Sequence, residues 1–202
     1  DNGPWLSYGG HAGLQGGLRE GKGTSWEGGI RVPAIFTWPG TIPSGIEQNQ
    51  AAMTIDLLPT LAQVTGSTLP SLPIDGRDIW PLIQGISMED KTYYVYYNKN
   101  ELQAVIYGKW ELVFPHTYRT IPSEAIMRND GLPVKYTNIK LEKAELYDLS
   151  QDMGETMDLS SQYPEIMRIM NGFAENARQD LGDALTEREG SGNRKAGRIK
   201  VN

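Results

Sequence analysis

Residues 93–114 read YYVYYNKNELQAVIYGKWELVF, and the alternation within them decides the fold of the second half of the chain. Three short runs, Tyr93 to Tyr97, Ala104 to Tyr107 and Trp110 to Phe114, are rich in aromatic and β-branched residues, the composition of half-buried strands. Gly108-Lys109 lies between the last two, where a two-residue hairpin turn is needed. Antiparallel strands are therefore expected here. Leu146 to Leu149 can add another short strand, while residues 115–140 are polar and turn-rich. From Pro164 to Leu181, the residues Ile166, Ile169, Met170, Phe173, Ala177 and Leu181 recur at helical spacing, which predicts an amphipathic helix covering the sheet. Gly172 weakens that helix by about 1 kcal/mol relative to alanine.

Working back towards the start, residues 67–91 carry Pro70, Pro73, Gly76, Pro81 and Gly85, a turn composition that marks a boundary. Before it, Ile55, Leu58, Leu61, Ala62 and Val64 predict a helix over Thr54 to Val64, with Thr54 as its cap and Gly66 beyond its end. Ile30 to Trp38 is mostly apolar and closed by Pro39-Gly40, so a buried strand is expected. Residues 1–29 hold ten glycines with little apolar periodicity, which reads as a long functional loop. Beyond residue 182, Arg188, Arg194, Lys195, Arg198 and Lys200 among glycines predict a solvated basic tail.

Composition narrows the function. A net charge of -6 opposes nucleic-acid binding, which calls for a basic face. No apolar run approaches the roughly 18 residues of a membrane span. The chain has no cysteine, so disulfides, thiolate metal sites and a cysteine nucleophile are excluded within it. It opens on Asp1-Asn2-Gly3-Pro4 without an initiator methionine or a signal segment, which points to processing or truncation.

Asp1 and Asn2 offer adjacent hard oxygens on a turn, suited to Ca²⁺ or Mg²⁺, although the tripeptide by itself reads first as an Asx turn. Calcium takes about 6 to 8 oxygens, so further ligands would have to come from elsewhere. Lys22 lies between Gly21 and Gly23, where the backbone can approach a ligand and the ammonium can meet a tetrahedral oxyanion. The Walker pattern fails, because Gly23 stands where Ser or Thr is required and no strand precedes the loop. His11, in the same loop, is a candidate hydrogen-bond partner for an anion, and His116 and Arg119 are candidates to line a cleft. A serine hydrolase is disfavoured, since no G-x-S-x-G element occurs.

The ordered series DNGP, GGLREGKGTSWEGGIRVPAIFTWPG, TIDLLPTLAQVTG, IDGRDIWPLI, GKWELVF and ELYDLSQDMGETMDLS resembles the type I, formylglycine-dependent sulfatase family along almost the whole chain. The resemblance implies a partial α/β domain like that of alkaline phosphatase over 1–88. A small α+β domain with an antiparallel sheet and terminal helix would follow over 89–182, then the basic tail over 183–202. It also implies calcium ligation by Asp1 and Asn2, sulfate contact by Lys22, and substrate contacts by His11, His116 and Arg119. The family's C/S-x-P-S/A-R nucleophile segment, amino-terminal Asp-Asp pair and Lys-x-His block are absent. By this resemblance the formylglycine lies upstream, the missing amino-terminal portion is a partner, and the chain alone is inactive. A sulfated small molecule or carbohydrate is the implied substrate, and a periplasmic or secreted location the implied compartment. Two alternatives stand beside this: a phosphate or phosphonate ester hydrolase of the same superfamily, and a non-catalytic binding or scaffold fragment.

Overall fold

The computed structural model describes residues 2–194. In chain order the helices are α1 (Glu27–Ile30), α2 (Leu57–Thr65), α3 (Trp80–Ile83) and α4 (Pro164–Leu181). The strands are β1 (Thr92–Tyr97), β2 (Glu101–Tyr107), β3 (Trp110–Val113), β4 (Thr117–Thr120), β5 (Thr137–Lys140), β6 (Glu145–Asp148), β7 (Gly182–Asp183) and β8 (Arg188–Glu189). The chain packs as two units. One holds the described residues up to Val32 together with those from Tyr94 onward, and the other is Pro33–Tyr93. This grouping differs from a linear division at residues 88 and 182, because the glycine-rich segment packs on the carboxy-terminal sheet.

That sheet has the order β1-β2-β3-β6. The β2-β3 hairpin closes with Tyr107 opposite Trp110, and Gly108 turns it at φ +57°. Next, β3 pairs antiparallel with β6, Trp110 facing Asp148 and Val113 facing Glu145. Val105, Leu112, Phe114 and Leu146 bury one face against Met170, Ala174 and Ala177 of α4, so the helix covers the sheet as its periodicity predicts. Strand alternation sends Glu111, Val113 and Tyr147 to the other face, where Trp26 of the glycine-rich segment packs edge-on against Tyr147. The sheet is therefore sandwiched between α4 and the loop that carries Lys22. Residues 115–140, expected to be turns, contain the β4-β5 ribbon, whose register pairs Thr117 with Lys140 and Thr120 with Thr137.

In the Pro33–Tyr93 unit, α2 follows a 3₁₀ turn at Thr54–Asp56 and ends at Gly66 with φ +67°. Thr54 does not cap it. The Asp56 carboxylate instead accepts the Met53 N–H at 2.9 Å, and also bonds the Arg77 N–H, the Tyr93 hydroxyl and the Lys91 ammonium. The strand expected over Ile30 to Trp38 is not formed: α1 ends at Ile30 and residues 31–38 have no regular structure. Val32, Ile35, Phe36 and Trp38 are exposed. A strand is held by a neighbouring ladder, and no described segment pairs with this one, while Pro33 and Pro39 cannot donate at all. The basic tail is ordered at its start, where β7 pairs with β8 and Arg188 meets Glu175 at 2.6 Å. Lys195, Arg198 and Lys200 lie outside the described residues.

Candidate functional site

The glycine-rich segment is organised by backbone approaches too close for side chains. The Gly3 N–H donates to the Gly29 carbonyl at 3.0 Å, and the Lys22 N–H donates to the Pro4 carbonyl at 2.9 Å. A Cβ on Gly3 would stand 1.7 Å from the Gly28 carbonyl oxygen, so only glycine admits this crossing. The Asn2-Gly3-Pro4 segment is thereby held beside Lys22. Asp1 lies outside the described residues.

Lys22 itself is exposed and makes no ion pair among the described residues. Its ammonium nitrogen lies 5.9 Å from the ring centre of Trp5. Its carbonyl is gripped by Arg119 of β4, which donates from Nε at 3.1 Å and also from Nη2. Arg119 in turn stacks on Tyr136, with Cζ 4.5 Å from the ring centre. Gly23 has φ +91°, and a Cβ there would run into the Arg119 guanidinium. Arg119 is thus committed to the Lys22 backbone, fixing the loop from below.

His116 sits in the core at 3% exposure. Its Nδ1 donates to the Phe114 carbonyl at 2.7 Å and its Nε2 faces the Ser25 hydroxyl at 3.4 Å. Burial lowers its pKa, so the imidazole is neutral and internally bonded. His11 is exposed, and its Nε2 donates to the Asn129 carbonyl at 3.1 Å. The Gly10 N–H binds the Asn129 side chain, the Ser7 N–H the Tyr136 hydroxyl, and the Val134 N–H the Ser7 carbonyl. These bonds lay the loop after β4 over residues 7–11. The structure therefore joins Asn2, Lys22 and Arg119 in one locality, seats His11 on a neighbouring loop, and places His116 in the interior.

Beneath the loop lies a group that sequence reasoning missed. The Arg19 guanidinium stacks on Trp26 with Cζ 3.5 Å from the ring centre, and donates to the Tyr147 hydroxyl at 2.9 Å and the Glu155 carbonyl at 3.0 Å. Glu27, Glu111 and Glu155 are all buried. The Glu155 carboxylate accepts the Glu27 N–H at the start of α1 at 2.9 Å. No donor reaches either oxygen of Glu111 or Oε1 of Glu155. Burial, then the charges of Glu155 and Glu27, push Glu111 well above the ordinary carboxyl range, and burial pushes Glu155 up to about 8. Both acids therefore keep their protons at neutral pH, since two neighbouring carboxyls buried together disfavour the charged form. The signal available in the sequence was an acid amid apolar residues in Trp110-Glu111-Leu112-Val113.

Among the described residues no group of three or more His, Cys, Asp or Glu side chains is placed to hold a metal. Of the expected Asp1-Asn2 pair only Asn2 is among the described residues, and one amide oxygen is far short of a calcium shell. These residues do not by themselves fit the cation.

Comparison with known proteins follows the same geometry. Residues 21–180 match the family model described as N-sulphoglucosamine sulphohydrolase, C-terminal. Arylsulfatase A of Bos taurus is 36% identical over 174 residues, covering 82% of this chain and 33% of that protein. Steryl-sulfatase of Homo sapiens is 40% identical over 189 residues, covering 85% and 32%. Among solved structures, the PsFucS1 sulfatase from Pseudoalteromonas sp. superposes with a TM-score of 0.71 at 23% identity, over 87% of this chain and 35% of that one. The chain spans about a third of the length of these relatives. With the motif order, the sheet and helix and the family match in agreement, the chain belongs to the sulfatase family, whose carboxy-terminal portion it represents.

Proposed function

We propose that this chain supplies the sulfate-holding lysine of an enzyme that hydrolyses sulfate esters, with sulfated carbohydrates as its substrates. One observation carries the proposal: an exposed ammonium without an ion-pair partner, on a backbone clamped at both ends by the Pro4 carbonyl and the Arg119 guanidinium. A compact charge fixed in this way stabilises negative charge developing on the sulfuryl oxygens without reorganising first. Arg119 and His116 act as positioning residues: Arg119 Nε and Nη2 hold the Lys22 carbonyl, and His116 Nδ1 holds that of Phe114. His11 borders the same mouth from the adjoining loop and contacts substrate there.

The remaining parts come from outside this chain. The formylglycine nucleophile lies upstream, on an amino-terminal portion with which residues 1–88 make the catalytic domain, and residues 89–182 form the small domain. Asp1 and Asn2 would contribute two oxygens to a calcium shell finished by that portion. The enzyme is exported, to the periplasm or the exterior. No helix among the described residues is long and apolar enough to cross a membrane.

The test is turnover of sulfate and phosphate esters by the complete polypeptide and its Lys22→Ala variant. Loss of one well-placed charge stabiliser costs roughly 10²–10³ in kcat, so a drop of that size with sulfate esters is expected. The 202-residue chain alone is expected to show no turnover. Near-normal activity of Lys22→Ala, or faster hydrolysis of phosphate esters, would refute the assignment.

A further inference from the structure

Trp5 follows the Asn2-Gly3-Pro4 segment directly, and its indole is 46% exposed. It is nevertheless held in place. Its edge packs on Tyr8 with ring centres 5.3 Å apart and planes inclined by 72°, and its carbonyl accepts the Tyr8 N–H at 3.0 Å. One residue earlier, the Pro4 carbonyl takes the Lys22 N–H. Backbone bonds on both sides thus present a rigid aromatic face beside an ammonium that has no ion-pair partner.

The separation of 5.9 Å matters. It lies at the outer limit of attraction between a cation and a ring, about 6 Å, so the indole does not occupy the ammonium. An anionic oxygen held by Lys22 would sit roughly 2.8 Å from Nζ, and the ester link carries the attached ring onward by little more than another such step. That ring then lies within reach of the indole face. Aromatic side chains bind both arenes and the C–H faces of pyranoses by burying flat apolar area.

We propose that Trp5 is the platform for the ring that bears the sulfate ester, stacking on its flat face while Lys22 holds the sulfate. The proposal rests on the sulfatase assignment of Lys22 and adds to it the group beyond the sulfur. Trp5 binds the same ring before and during reaction, so it lowers KM and leaves kcat almost alone.

The experiment uses the complete polypeptide with phenyl sulfate and glucosamine 6-sulfate as the two substrates and inorganic sulfate as inhibitor. Trp5→Leu keeps apolar bulk but removes the face, and Trp5→Phe restores a face. Trp5→Leu should raise KM roughly tenfold, the equivalent of about 1.4 kcal/mol, for whichever ester stacks. Trp5→Phe should recover most of that loss, and inhibition by inorganic sulfate should be unchanged in both. Unchanged KM for both esters, or a parallel loss of sulfate inhibition, overturns the platform while leaving Lys22 in its role. Absence of ester turnover in the unmodified polypeptide overturns the sulfatase assignment and the platform with it.

Discussion

Replacing Glu111 by glutamine should stabilise the protein in alkaline solution, although it alters a fully buried residue. Glu155 is raised from 4.5 to about 8, chiefly by burial, so between those pH values the folded protein keeps a proton that the unfolded chain has released. Stability from this group is complete below pH 4.5 and is lost as pH climbs through about 8. Each pH unit in that window costs about 1.4 kcal/mol, so the whole interval costs on the order of 5 kcal/mol. Glutamine in place of Glu111 cannot ionise, and its amide can donate to the Oε1 of Glu155 that now lacks a partner. Glu155 then ionises more readily in the fold. The loss between pH 5 and 8.5 should shrink by about half, roughly 2–3 kcal/mol. Urea unfolding across that range measures it, with an unchanged m-value showing that compactness is the same. His116, Glu27 and Arg19 are present in both proteins, so the difference isolates the pair. Parallel profiles for the two proteins, or an unmodified protein that gains stability from pH 5 to 8, would refute the account of two buried acids that hold their protons.

Gly23→Ala should lower the melting temperature by an amount equivalent to about 1–3 kcal/mol, since φ is +91° and the new Cβ collides with Arg119; an unshifted Arg119 Nε resonance would contradict this. Asp56→Ala should destabilise the Pro33–Tyr93 unit by about 3–5 kcal/mol, the cost of stranding a buried partner network, as read by hydrogen exchange in α2. Burial alone would raise the Asp56 pKa, but hydrogen bonds from Met53, Arg77 and Tyr93 and the Lys91 charge hold it below 3.8. Its contribution is therefore present above pH 3.8 and lost on acidification below it, and acid unfolding at a higher pH in the alanine variant is the check.

The helices α2 and α4 and the β2-β3 hairpin were legible because their periodicity and turn residues state them locally. The run from Ile30 to Trp38 looked like a strand for the same local reason, but pairing is a property of a neighbour, and composition cannot say whether one is present. Motif order singled out Lys22 and the Asn2-Gly3-Pro4 segment, and the Lys22–Pro4 backbone bond brings the two together. His116 and Arg119 were found as polar residues after a strand, yet whether such a side chain faces solvent or a carbonyl depends on what packs over it. Arg19, Glu27, Glu111 and Glu155 escaped notice because they are 128 and more residues apart where Arg19 and Glu27 meet Glu155, and no local pattern links them.

That separation has a bearing on how the protein is made. Lys22 leaves the ribosome before the groups that seat its loop: Arg119, Tyr147 and Glu155 follow about a hundred residues or more behind it. Until they are synthesised, a flexible glycine-rich segment must wait uncommitted, because distant contacts repay chain closure only when both ends exist. A stop codon just before residue 155 would therefore leave Lys22 and both of its backbone clamps in the polypeptide and still remove the Glu155 groups that take the Arg19 guanidinium and the Glu27 N–H beneath the loop.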